Sequence, residues 1–548
     1  MGVWDRLRLA QDSNLTLSSL PSRLAAAHGN RLLAVEGISA QWSANDVDRL
    51  TARWCSSLSK VLVPGERVVV ALPNGYEFFM ACLAVCRAGG VAVPVNDRTT
   101  ADELAHIVST SGASVLVRTV DDLQSPLRLE ASLKANNAPK SRSNVKGQSE
   151  TNPESTGGEP KDQPKDQNLA DGALHWPTSP SDVAAIFFTS GTTGKPKGAE
   201  LSHRGLLAGT QKLAALPMNL RNDEAIVALP VAHIMGFAAY LGAALMGMQL
   251  YVHERFSAEE VLDSIETRRA SGFIGVPAMY RMLEEAGAAS RDLSSVRLWM
   301  SGADAMPPEL VRSFQSYGAT ATIPFLGNSI GEAAFIEGYG MVELSGGAAV
   351  KVTPPFAGSL LSKSIGIPLP SNQLRVVDDN NNQVRIGQVG ELLVKGPGVL
   401  QRYRNDEAAT DATMTNDGWL RTGDLAKRQP FGAVEFVGRA KDVIKVGGYS
   451  VFAAEVQAVL ETFDGVGEAS VVGLPDTRMG ESVAVALRQV SDSPPIDLEA
   501  VKALATEKLA KYKVPRHWLI VDDLPRTGSS KVQRQAVRDL FVSEGTES

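Results

Sequence analysis

Val183-Ala184-Ala185-Ile186-Phe187-Phe188-Thr189-Ser190-Gly191-Thr192-Thr193-Gly194-Lys195-Pro196-Lys197-Gly198 is the stretch on which the reading of this chain turns. The apolar half, Val183 to Phe188, reads as a buried strand. Of the twelve residues from Phe187 to Gly198, nine are Gly, Ser, Thr or Lys. A loop with three glycines can take positive φ values and bring backbone N–H groups close to a phosphate. Its hydroxyls and two ammonium groups supply further donors and countercharge for nucleotide oxygens. A plain surface turn is the alternative, but two lysines and a proline in this register are unusual for one. The common P-loop is excluded, because Gly191 to Lys195 is too short for G-x-x-x-x-G-K-[ST] and Pro196 stands where the Mg2+-binding hydroxyl would be.

Upstream of this loop, β-rich runs alternate with helical patterns: Arg67 to Leu72, Glu77 to Ala88, Val91 to Val95, Ala101 to Ser111, Ala113 to Arg118. That rhythm predicts βαβ units around a largely parallel sheet. It breaks between about Asn136 and Asp171, a stretch without aromatic residues that carries the tandem repeat Pro160 to Gln163 and Pro164 to Gln167. Residues 136–171 cannot bury enough apolar surface to order themselves and read as a disordered insertion. The α/β pattern resumes at Asp182 and runs to about Gln315. Between Gly366 and Phe436 short strands and turns predict a small β-rich subdomain. After Arg439-Ala440-Lys441 a compact unit of strands (Ala469 to Val472, Ser482 to Leu487) and helices (Ala454 to Thr462, Leu498 to Leu509) begins. The expected fold class is α/β: a large N-terminal domain (1–438) of α/β sheets with the β-rich subdomain, a hinge at 439–441, and a small mobile α+β domain (442–548).

Composition narrows the function. At 548 residues the chain exceeds one hydrophobic core. A net charge of −7 argues against sequence-independent nucleic-acid binding, which needs a basic face. Cys55, Cys82 and Cys86 make no disulfide or metal pattern, which fits a reducing compartment. Cys82 and Cys86, four apart in an apolar run, are expected to share one buried helix face. No run approaches the ~18 apolar residues of a membrane span, and Met1 to Asn14 is polar where a signal peptide is apolar. A cytoplasmic enzyme is the resulting expectation; the sequence neither demands nor forbids peripheral membrane contact, and oligomeric state is not legible.

The phosphate loop is followed, in order, by Leu229-Pro230-Val231-Ala232-His233-Ile234-Met235-Gly236, Ser301-Gly302-Ala303, Gly338-Tyr339-Gly340-Met341-Val342-Glu343, Gly418-Trp419-Leu420-Arg421-Thr422-Gly423-Asp424, Gly447-Gly448-Tyr449 and Pro525-Arg526-Thr527-Gly528-Ser529-Ser530-Lys531. This ordered set resembles the adenylate-forming superfamily, most nearly its acyl-CoA synthetases and fatty-acid–CoA ligases, over nearly the whole chain. The resemblance implies a nucleotide site of Thr189, Ser190, Gly191, Thr192, Thr193, Gly194, Lys195, Lys197, Ala303, Tyr339, Gly340, Asp424 and Arg439. In it Tyr339 stacks on adenine, Asp424 accepts from the ribose hydroxyls, and Arg439 reaches the ribose or phosphates. It further implies that Glu343 holds Mg2+, His233 gates the acyl and thiol pocket, Lys441 is the hinge, Gly447, Gly448 and Tyr449 line the thiol tunnel, and Lys531 is the adenylation lysine. Four departures are visible: Val342 stands where threonine is usual, Ser530 where glycine is usual, Ala453 where proline is usual, and Gln457 where glutamate is usual.

ATP and coenzyme A are the implied co-substrates. The implied chemistry is attack of a carboxylate on the α-phosphorus of ATP, giving acyl-AMP and pyrophosphate, then transfer to coenzyme A. Such a reaction is driven by positioning and charge stabilisation. No aspartate near His233 awaits an α-amino group, and Ile234 to Met248 and Phe325 to Phe335 are apolar. An apolar acid, most simply a fatty acid, is therefore expected. Phe314 to Glu337 looks expanded and would suit an aromatic or sterol-derived acid. A fatty acyl-AMP ligase that loads a carrier protein, an amino-acid activator, and a degenerate nucleotide-binding regulator stay open as alternatives. No carrier domain is seen after residue 548, which weakens the amino-acid reading.

Overall fold

A computed structural model describes residues 3–37, 40–129, 176–189, 196–215, 223–322, 329–355, 364–490, 493–526 and 532–543. The 136–171 insertion, the heart of the phosphate loop (Ser190 to Lys195) and Lys531 lie outside the described residues.

Two predominantly parallel sheets carry the large unit. In the first, Gly198–Ser202, Val183–Phe188, Val91–Pro94, Arg67–Val70 and Val115–Val117 lie side by side, with Arg402–Tyr403 on the outer edge. In the second, six parallel strands run in the order Ala334–Tyr339, Leu298–Gly302, Gly272–Gly275, Glu224–Val227, Gln249–Val252, Leu32–Glu36, flanked by antiparallel edges. Parallel strands buried on both faces read as continuous apolar runs, which is why Val68, Val69 and Val70 are all buried.

Local signals set the helix ends. Thr100 caps the helix Ala101–Ser111 through a reciprocal bond with Glu103, and Gly112 ends it at a φ of 66°. The helix Tyr76–Arg87 is buried at every position except Glu77. Cys82 and Cys86, one helical turn apart, are thus buried on one helix face as expected, in a helix whose other faces are buried too. It packs on the helix Ile234–Met246 through Phe79 and Phe237, whose ring centroids are 5.4 Å apart, and Phe187 of the phosphate strand meets Phe237 at the same distance. The strand that opens the phosphate loop and the helix that follows His233 are therefore fixed to one aromatic core.

Gln373–Val377, Val389–Lys395, Leu420–Arg428 and Val434–Arg439 form an antiparallel four-stranded sheet, the β-rich region read from sequence. Beyond it, Val443–Val446, Tyr449–Phe452, Val466–Asp476, Gly480–Gln489 and His517–Val521 make a separate five-stranded sheet. Its two apolar clusters draw only on residues between Ile444 and Phe541.

Candidate active site

The phosphate strand and its return strand close the neck of the phosphate loop. Phe188 pairs with Gly198, and the Thr189 N–H donates to the Lys197 carbonyl at 2.9 Å. These bonded strand ends lie at the carboxyl end of the parallel strand Val183–Phe188, the edge where α/β folds place their ligands.

Asp424 sits mid-strand in Leu420–Arg428, directly opposite Arg439 on Val434–Arg439. The Tyr339 hydroxyl donates to one Asp424 oxygen at 2.6 Å, and the Arg439 Nε lies 3.3 Å from the other. Asp424 is 3 % exposed, and burial pushes its carboxyl above the usual range while Arg439 opposes that shift. Burial and the adjacent carboxylate drive the Tyr339 phenol well up, so it stays a donor. Three residues from two sheets, assigned to one nucleotide from sequence, do converge.

A second group forms beside the loop neck. Glu343 lies in the short turn Val342–Leu344 and accepts a 2.7 Å bond from the Tyr403 hydroxyl. The Lys197 ammonium stands 5.3 Å from the Tyr403 ring centroid and 3.8 Å from an Asp406 oxygen. Tyr403 thereby joins Glu343 to Lys197; it was not singled out from sequence. Its only local signal is an aromatic residue among Arg402, Arg404 and Asp406.

A hard carboxylate oxygen suits Mg2+, which uses one or two carboxylates together with substrate phosphates and keeps waters. Among the described residues no group of three or more His, Cys, Asp or Glu gathers, so a dedicated all-protein cage is absent there. A single oriented carboxylate next to a phosphate loop fits a metal that arrives with the nucleotide.

His233 precedes the first turn of the helix Ile234–Met246, and its carbonyl accepts from the Phe237 N–H at 2.9 Å. Gly236 is required here, since a Cβ would lie 2.0 Å from the Pro230 carbonyl oxygen. Asn74 steadies the same turn: its side-chain oxygen accepts from the Val231 N–H at 2.9 Å, and its amide reaches the Glu254 carbonyl at 3.3 Å. On the inner side, the Met235 thioether covers Gly302, and Ile234 and Ala238 border Gly346. Ala303 holds a φ of 70°, a strained value for an alanine, at the turn read as running beside adenine. Gly340 leaves no room for a side chain, as a Cβ would stand 2.1 Å from the Gly346 carbonyl oxygen. Met235, Ile234 and Ala238 thus form an apolar wall against the backbone at Gly302 and Gly346.

Lys441 lies in the short turn Ala440–Asp442. Partial burial and the Arg439 cation lower its ammonium pKa. Gly447 and Gly448 turn at φ values of 57° and 84°, and Tyr449 is exposed, its ring stacked on Tyr512 with centroids 4.6 Å apart. Around Lys531 only the neck is described: Arg526 bridges Val532, and the Gln533 N–H donates to the Pro525 carbonyl at 2.8 Å.

Residues 22–404 match the AMP-binding enzyme family, and residues 455–531 match the AMP-binding enzyme C-terminal domain. The chain belongs to the AMP-binding enzyme family. Among its relatives are a feruloyl-CoA synthase of Amycolatopsis, 32 % identical with 96 % of this chain and 99 % of the relative covered. A Mycobacterium tuberculosis 3-[(3aS,4S,7aS)-7a-methyl-1,5-dioxo-octahydro-1H-inden-4-yl]propanoyl:CoA ligase is 32 % identical, covering 87 % and 89 %. The Escherichia coli medium-chain fatty-acid–CoA ligase is 27 % identical, covering 98 % and 91 %. The fold of ATP-bound MatB from Rhodopseudomonas palustris superposes with a TM-score of 0.76 at 25 % identity, covering 96 % of this chain and 99 % of that one. The adenylate-forming resemblance and the expected α/β class both hold.

Proposed function

We propose that this AMP-binding enzyme is an AMP-forming acid–CoA ligase whose substrate is an apolar carboxylic acid. The observation that carries the reading is the Tyr339–Asp424–Arg439 cluster, supported by the Glu343–Tyr403–Lys197 cluster and by the apolar side chains of Ile234, Met235 and Ala238. Asp424 and Arg439 hold the ribose side of ATP, and Tyr339 presents its ring to the adenine. Lys197 and the loop donors hold the phosphates. Mg2+ held through Glu343, when bound, neutralises phosphate charge. The acid lies along the Met235 wall with its carboxylate facing the α-phosphorus, and Lys531 bridges the two anions. Rotation about Lys441 then withdraws Lys531 and brings Gly447 to Tyr449 to the thiol. A cytoplasmic location accords with the reading; among the described residues no helix is long and apolar enough to cross a membrane.

Within apolar acids, ring-bearing ones are favoured over plain fatty acids. Relatives named for ring-bearing acids, feruloyl and the methyl-octahydroindenyl propanoyl, stand at 32 % identity, against 27 % for the medium-chain fatty-acid ligase. The test is mass detection of CoA thioesters from a panel of cinnamic, bicyclic propanoic, medium-chain and amino acids. Thioesters from the first two at the lowest KM support the ring reading. Preferential use of decanoate supports the fatty-acid reading, and turnover of amino acids alone would overturn both.

A further inference from the structure

A six-member charge cluster spans the gap between the large unit and the C-terminal unit. Arg281 and Glu285 project from the helix Pro277–Glu285 of the large unit. Across from them stand Glu461, Glu468 and Arg488, with Arg526 behind. Arg281 donates to Glu461 at 3.2 Å and lies 3.8 Å from Glu468, while Arg488 donates to Glu285 at 2.6 Å and lies 3.9 Å from Glu468. Arg526 pairs with the same Glu468. Side chains in this cluster are between 10 % and 25 % exposed, too dry for routine surface pairs. Three cations face three anions in this dry group, with the exposed Asp523 3.6 Å from Arg526 at its edge, and each buried charge depends on its neighbours.

Two features give this cluster a direction. Arg526 is the last described residue before the loop that carries Lys531, and it pairs with Val532 at the far neck of that loop. Gly447, Gly448 and Tyr449, by contrast, are exposed in the same arrangement. The cluster therefore exists in an arrangement in which the thiol segment faces water.

We infer that Arg281 and Glu285 are positioning residues that clamp Glu461, Glu468 and Arg488, holding the C-terminal unit in the arrangement used for acyl-AMP formation and releasing it before thiol transfer. The inference rests on the two-step reading above. It assigns the helix Pro277–Glu285 a role in one half-reaction alone. Neutralising or reversing one member leaves partners buried without countercharge and should open the dock.

The test measures the two half-reactions separately in wild type, Arg281→Glu, Glu461→Arg, the double swap, and Glu285→Lys, which leaves the C-terminal unit's own bonds intact. Pyrophosphate release with ATP and acid reads the first step; thioester formation from supplied acyl-AMP and coenzyme A reads the second. Each single variant should slow the first step about tenfold and change the second less than about twofold, and the double swap should recover part of the loss. Equal loss in both steps, or no recovery in the swap, would overturn the clamp. Hydrogen exchange gives a readout independent of turnover: protection of 277–285 and 460–469 should fall in Arg281→Glu and return in the double swap. Unchanged protection would overturn the clamp even if no acid were turned over. Failure of wild type to release pyrophosphate with any acid would instead defeat the ligase reading.

Discussion

The Tyr339 hydroxyl donates to the Asp424 carboxylate across 2.6 Å, joining the end of the outermost of the six parallel strands to an inner strand of the antiparallel sheet. Asp424 is thus aimed before any nucleotide arrives. Tyr339→Phe keeps the ring for stacking and loses the aim. We expect KM for ATP to rise roughly three- to tenfold, with KM for the acid unchanged, as for loss of one hydrogen bond to a charged group. Equal rises in both values in steady-state kinetics would show that the tyrosine merely supports the fold.

Tyr403 should act through the metal. Its hydroxyl fixes one oxygen of Glu343, and outer partners of this type tune metal affinity by about 10- to 100-fold. Tyr403→Phe should therefore move the Mg2+ dependence of pyrophosphate release to higher concentration by about tenfold, with the plateau rate largely recovered in excess Mg2+. A variant whose defect excess metal cannot relieve would contradict this role.

Val342 replaces a hydroxyl usual at that position of the motif, one turn residue before Glu343. Restoring it as Val342→Thr adds a donor without changing shape. Single-turnover acyl-AMP formation should quicken by about three- to tenfold, the worth of one good hydrogen bond. A slower variant would mean that valine is packed for another purpose.

Glu36 offers a pH test away from the chemistry. Burial raises its carboxyl from 4.5 to about 7, against a bond from the Tyr76 N–H, and the nearby Glu77 and Glu254 add to the rise. A Gly75 Cβ would lie 2.5 Å from its oxygen, which shows how closely the helix start is packed on it. Between pH 4.5 and about 7 the folded state holds a proton that the unfolded state has released, so this group's contribution is full below 4.5 and is lost as pH rises through 7. Glu36→Gln keeps the neutral form at all pH. Its Tm should exceed wild type by about 1–3 °C at pH 8 and match it near pH 4.5, by scanning calorimetry. An equal difference at both pH values would contradict the assignment.

Much of this was readable from residues near one another in the chain. Val183–Phe188 and Ala101–Ser111 match their sequence boundaries, because a phosphate-loop glycine or a capping box with a terminal glycine marks each end. The helix Tyr76–Arg87 was legible as a helix but not as one buried all round, since that depends on a partner helix more than a hundred residues away. Tyr339, Asp424 and Arg439 were legible through their motifs. Tyr403 was not, because its meaning comes from Glu343, sixty residues earlier, and no local pattern records that distance. Arg281 and Glu461, 180 residues apart, were invisible for the same reason. Ser190 to Lys195 and Lys531 lie outside the described residues, so their roles still rest on their motifs.

The most direct measurement is pyrophosphate release with ATP and Mg2+ across the acid panel, with and without coenzyme A, in wild type and in Lys531→Ala. We expect acid-dependent release that coenzyme A accelerates, and a loss of at least about 10²-fold in the variant, the usual effect of removing a preorganised charge-stabilising donor. Release that persists in Lys531→Ala, or no acid-dependent release from a folded wild type that still binds ATP, would contradict the ligase account.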